Sequence, residues 1–133
     1  MNHQIELHDS TLESIVREGP DLLLRLRPAY VHRSEGRPGI DPGSGWLQDI
    51  DLILREGIAE ALPSEFHFDL VSGSFEAGED RWENSIPLPL STSATARLAA
   101  VTTRGERLEV RGAGASAVPR GESRYVEEFP GMA

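Results

Sequence analysis

Near the start of the chain, in Glu6-Leu7-His8-Asp9-Ser10-Thr11-Leu12-Glu13, the three residue types of a hydrolase relay stand side by side. Such a relay needs the serine Oγ within hydrogen-bond reach of one imidazole nitrogen and the carboxylate on the other. In an extended chain, neighbouring side chains point to opposite faces, so three consecutive residues do not converge in that way. Asp and Ser side chains instead bond readily to nearby backbone N–H groups in turns and caps. The stretch His8-Asp9-Ser10 therefore predicts a corner, with the His8 ring packed against a sheet.

Metal chemistry is the second candidate. The four histidines, His3, His8, His32 and His67, show no HxH or HxxxH spacing. Asp49 and Asp51 share one face of an alternating run, and His67 and Asp69 share a face of another. Were these runs neighbours, the four side chains would suit zinc or another divalent ion. The competing reading places both pairs on a solvated face, because the positions between them are apolar. No cofactor is expected.

A third candidate lies between Ala29 and Trp46. The segment Ser34–Gly45 is rich in Gly and Pro and long for a hairpin connection. Around it stand His8, Tyr30, His32, Arg33 and Trp46, of types enriched at binding sites, and these are the ligand-binding candidates. Neither GxGxxG nor GxxxxGK[ST] is present, so no phosphate signature supports them. The competing reading is a flexible excursion with Trp46 in the core. A pocket of His8, Tyr30, His32, Asp49 and His67 would favour a small-ligand or metal-binding protein, with a hydrolase among its forms. Paired carboxylates for glycoside chemistry are not assignable among 22 acids, since separation in space decides that chemistry.

The elements that must position these residues have period two. Leu22, Leu24 and Leu26 fall on one face of a run, with Leu23, Arg25 and Arg27 on the other, the mark of a half-buried strand. From Trp46 to Arg55 one face reads Trp46, Gln48, Ile50, Leu52, Leu54. Phe66–Leu70, Ala94–Thr103 and Arg107–Ala117 also read as strands, and a short one follows at Ser123–Glu127. Glu18-Gly19-Pro20-Asp21 and Arg104-Gly105-Glu106 predict hairpin turns, hence antiparallel pairing. Leu12–Arg17 fits a helix at Leu12, Ile15 and Val16, but its pairing across the Gly19-Pro20 turn favours a strand. Gly57–Leu62 predicts a short helix stopped by Pro63. Gly78–Pro89 reads as irregular because Pro87 and Pro89 forbid a central strand. The segment 129–133 reads as a loose tail. These readings give one all-β, mainly antiparallel domain over 1–133, a sandwich or small partly open barrel of six to eight strands with at most one or two short helices.

Composition bounds the partners. The 133 residues carry 22 acidic and 13 basic side chains, a net charge of −9, and every basic one is arginine. Phosphate binding needs a basic footprint, so nucleic acid is not expected as a partner, and the same charge argues against anionic membranes. Cysteine is absent, which excludes disulfides, thiol catalysis and thiolate metal sites. The N-terminus lacks the apolar run of a signal peptide, and a cytoplasmic location is expected.

His8-Asp9-Ser10-Thr11-Leu12, Ala29-Tyr30-Val31-His32-Arg33-Ser34, Gly45-Trp46-Leu47-Gln48 and the closing Gly121-Glu122-Ser123-Arg124-Tyr125-Val126-Glu127-Glu128-Phe129 together resemble a group of small uncharacterised bacterial β-rich proteins. The resemblance covers most of the chain and implies no activity. Other short β-rich proteins with such a start resemble immunity proteins of toxin systems. The function expected is thus a non-catalytic binding or protein-interaction module, whose acidic surface suits a basic partner. A β domain with exposed edges can also pair them in a homodimer.

Overall fold

The structure is a computed structural model describing residues 2–37, 40–66 and 68–131. Among the described residues thirteen strands follow one another: β1 (Asn2–Glu6), β2 (Thr11–Glu18), β3 (Asp21–Ser34), β4 (Gly43–Arg55), β5 (Ile58–Ala61), β6 (Phe68–Ala77), β7 (Asp80–Glu83), β8 (Ser85–Leu88), β9 (Ser91–Thr92), β10 (Ala96–Thr102), β11 (Arg107–Gly112), β12 (Gly114–Pro119) and β13 (Arg124–Phe129). They form one unclosed antiparallel sheet whose main path runs β5-β11-β10-β6-β2-β3-β4-β12-β9. β1 lies beside β3 and carries β8 on its other side, β13 extends β4, and β7 pairs with β6. One isolated parallel bridge joins His8 to Leu70. Among the described residues there is no helix, and so none long and apolar enough to cross a membrane.

The hairpins follow from turn chemistry. Gly19 between β2 and β3 and Gly105 between β10 and β11 both take left-handed backbone (φ 61° and 79°), which glycine adopts without a Cβ penalty. Leu22, Leu24 and Leu26 of β3 face the core with Ile50, Leu52 and Leu54 of β4. They share one buried cluster with Phe75, Leu98, Leu108 and Val110 of the other arm of the sheet. The register of β3 on β4 shifts at Arg27-Pro28, where proline offers no N–H to the ladder. Before the shift Leu26 pairs with Ile50, and beyond it Ala29 pairs with Gln48. The core-facing row of β3 therefore continues through Ala29, Val31 and Arg33, and the opposite row through Tyr30 and His32.

Thirteen strands among the described residues replace the six to eight expected: Asn2–Glu6 and Ser91–Thr92 also form strands, and three further segments differ for physical reasons. Gly57–Leu62 is not a helix: six residues are too few to repay helix nucleation, and Ile58–Ala61 pairs with β11 instead. Gly78–Pro89 is not irregular: β7 and β8 form there, and Pro87 is tolerated because β8 pairs with β1 alone among the described residues. Arg107–Ala117 is not one strand: the chain leaves β11 at Gly112 and enters β12 at Gly114, crossing between the arms. A side chain at Gly112 would press on the Arg55 backbone. The Gly/Pro segment is also shorter than 34–45, since β3 keeps its pairing to Ser34 and β4 begins at Gly43. Phe129, placed in the loose tail by its sequence, is paired with Gly43. Segment 11–17 is strand, within β2.

Candidate functional site

At the end of β1 the chain turns through the His8-Asp9-Ser10 corner. Ser10 is fully buried. Its hydroxyl donates to the Glu6 carbonyl oxygen at 2.5 Å and accepts from the Tyr30 N–H at 2.9 Å. Asp9 takes φ 74°, a left-handed conformation that Asp tolerates better than most residues. Its carboxylate lies 3.0 Å from His8 Nδ1, with both side chains more than half exposed. The serine is locked inward to main chain while the imidazole stands in solvent, so these three residues do not assemble a relay.

The period of two divides the five ligand-binding candidates between the faces of the sheet. Tyr30 and His32 lie on the outer face with Glu6, which pairs with Tyr30 across β1 and β3. His32 is buried, its Nδ1 3.3 Å from a Glu6 carboxylate oxygen, its ring edge-on to Phe129 at 5.1 Å. His32 Nε2 is buried without a hydrogen-bond partner among the described residues. The Tyr30 hydroxyl donates to Glu127 at 2.7 Å. Two glycines of β4 permit this: a Cβ on Gly45 would overlap the Tyr30 hydroxyl, and one on Gly43 would press on the Arg33 carbonyl and His32 Nε2. Tyr30 and His32 thus lie across β4 to reach β13.

This corner concentrates negative charge. Burial pushes the Glu6 carboxyl up, His32 opposes the shift, and Asp9 and Glu127 add to it. Burial, the Glu127 hydrogen bond and the nearby carboxylates push the Tyr30 phenol up as well, so it stays a neutral donor. His8 stands beside the same carboxylates through its contact with Asp9.

Arg33 and Trp46 belong to the core-facing side. The Arg33 guanidinium carbon sits 4.1 Å from the Trp46 ring centroid, and the ring meets Tyr125 edge-on at 5.5 Å. Arg33 also donates to Ser123 Oγ at 2.9 Å. Beneath it a cavity of about 200 Å³ opens at the end of the core.

Of the metal candidates, the described Asp49, Asp51 and Asp69 do not form a group that could hold a metal ion. Asp51 is buried and engaged by two cations, Arg27 at 2.7 Å and Arg120 at 2.8 Å. Burial pushes its carboxyl up, but these two guanidiniums outweigh burial and hold it below the usual carboxylate range. Asp69 lies on β6, where it accepts a hydrogen bond from Thr11 Oγ1 at 2.6 Å. Asp49 holds Arg120 N–H through its backbone carbonyl at 2.8 Å. His67 lies outside the described residues. Among the described residues no three His, Asp or Glu side chains are grouped to hold a metal ion.

Sequence reasoning missed Glu6, Glu127 and His3. Glu6 had a faint signal, two residues ahead of His8 in an alternating run. Glu127 had none, standing 97 positions from the Tyr30 it contacts. No family model, curated protein or solved structure matches the chain.

Proposed function

We propose that the chain is a non-catalytic protein-interaction module that presents the corner of β1, β3 and β13 to a basic partner. The observation that carries this reading is β13 itself. Among the described residues it pairs with β4 alone, leaving an edge free to accept another strand. It bears exposed Tyr125 and Val126 beside Glu127 and Glu128. Aromatic side chains supply contact area at low conformational cost, and the carboxylates steer a basic surface toward them. Glu6 and Asp9 extend the same negative field, in a chain of net charge −9. An immunity-like role, binding a basic toxin, is one form such a module takes.

Surface plasmon resonance against arginine- and lysine-rich extended peptides tests this. The variant Glu122→Lys/Glu128→Lys, which reverses two exposed charges just before and on β13, is compared with Glu79→Lys/Asp80→Lys, which changes net charge equally at the β6–β7 turn. Binding should weaken at least tenfold more in the first variant than in the second. Equal losses, or no binding at low salt, refute the reading.

A further inference from the structure

The core-facing row of β3 runs Leu22, Leu24, Leu26, Ala29, Val31 and then Arg33, so an apolar stripe ends in a cation. Arg33 lines the cavity at that point, together with His3, its cross-strand partner on β1, and Gln48. The remaining wall is apolar, including Val31, Ile50, Leu88 and Ala117.

Among the described residues, no acidic side chain answers the charge of Arg33. None of the ion pairs among the described residues includes it, although acids outnumber bases by 22 to 13. Its Nε is buried and has no acceptor among the described residues. A buried donor left unmatched costs free energy, and a planar guanidinium matches a carboxylate in geometry as well as charge. Stacking on Trp46 and the bond to Ser123 hold the group in place without neutralising it. Burial and the neighbouring Arg33 charge push the His3 imidazole down, so at neutral pH it offers one N–H donor and adds no competing cation.

We propose that this cavity binds a small carboxylate with a short aliphatic tail. Arg33 and His3 take the carboxylate, and Val31, Ile50 and Leu88 take the tail. A cavity of about 200 Å³ has room for roughly six or seven non-hydrogen atoms, taking about 30 Å³ for each. That size fits a four- or five-carbon acid. The apolar wall disfavours an inorganic oxyanion, which would leave most of its oxygens without donors. The site lies on the opposite face of the sheet from Tyr30 and His32 and stands apart from the interaction reading.

Pentanoate, pentan-1-ol and pentylamine provide the test, titrated into the purified chain by calorimetry and by the fluorescence of Trp46 beneath Arg33. Pentanoate should saturate with Kd about 1 mM or tighter. The alcohol should bind at least tenfold more weakly, and the amine weaker again. Arg33→Met should reduce pentanoate affinity at least tenfold. Ala117→Leu, which fills the cavity and keeps the cation, should do the same, and it decides the matter should Arg33→Met not fold. Alcohol binding as tight as pentanoate overturns the proposal. So does pentanoate binding unchanged in the folded variants, or an absence of saturation at ten times the expected Kd.

Discussion

Replacing Ser10 with alanine separates a corner residue from a nucleophile. The side chain is wholly buried and its oxygen makes two hydrogen bonds, both to main chain. In Ser10→Ala the Tyr30 N–H loses its acceptor inside the protein, a desolvation cost of about 1–3 kcal/mol. The lost bond to the Glu6 carbonyl adds about 1 kcal/mol, since that oxygen also loses its partner. The lost hydroxyl leaves too small a void to add much. The expected destabilisation is therefore about 2–4 kcal/mol, lowering Tm by roughly 10 °C for a chain of this length. Urea unfolding followed by the fluorescence of Trp46 and Trp82 should show the midpoint falling with m unchanged. Affinity for a basic partner should persist wherever the variant is folded. A destabilisation below about 0.5 kcal/mol, the range of ordinary surface substitutions, would refute the reasoning. Loss of an activity at unchanged stability would restore the nucleophile reading.

Three further perturbations follow from the same geometry. Asp9 has φ 74°, so Asp9→Ala should cost about 1 kcal/mol while Asp9→Gly stays within about 0.5 kcal/mol, measured by the same unfolding curves. Asp51→Asn should cost about 2 kcal/mol at pH 7, less than for a fully enclosed ion pair because Arg120 is half exposed. Asp51 is held below its ordinary value near 3.9, so its contribution is complete above that pH and is lost as pH falls toward the folded-state value. The gap between Asp51→Asn and the parent chain should therefore narrow below about pH 4 in acid-unfolding curves. Gly45→Ala should cost about 1–3 kcal/mol, because its Cβ would overlap the Tyr30 hydroxyl, and Tyr30→Phe should recover part of that loss in a double-mutant cycle.

Much of the sheet is legible in residue alternation. The face Trp46, Gln48, Ile50, Leu52, Leu54 is the core-facing row of β4, and the turns at Gly19 and Gly105 join antiparallel strands as their residues demand. The errors arise where pairing partners, rather than local pattern, decide the state. Ile58-Ala59-Glu60-Ala61 has helix-forming residues and becomes a strand because β11 offers it an edge. Pro87 argues against a central strand and is compatible with the edge strand that β8 is. The grouping of Glu6, Tyr30, His32 and Glu127 was hidden for a related reason. It needs the pairing of β1, β3, β4 and β13, and β13 comes from the far end of the chain.

Gly43-Ser44-Gly45-Trp46 shows how one short pattern serves two surfaces. Read as composition, Gly and Ser suggest a flexible loop. Read with period two, the same residues give an empty row and a filled row. Gly43 and Gly45 supply the empty row, and into that space Tyr30 and His32 extend to meet Glu127 and Phe129. Ser44 and Trp46 supply the filled row, where Ser44 Oγ accepts from the Trp46 indole N–H at 2.8 Å and the ring supports Arg33. A one-residue slip of β4 would put Trp46 against Tyr30 and leave Arg33 over a glycine, abolishing both arrangements at once. The register that seals the core thus also fixes an acidic corner on one face and, above a cavity on the other, a cation that has no ion pair among the described residues. Arg33 and His32, adjacent in the chain, serve different surfaces for that reason.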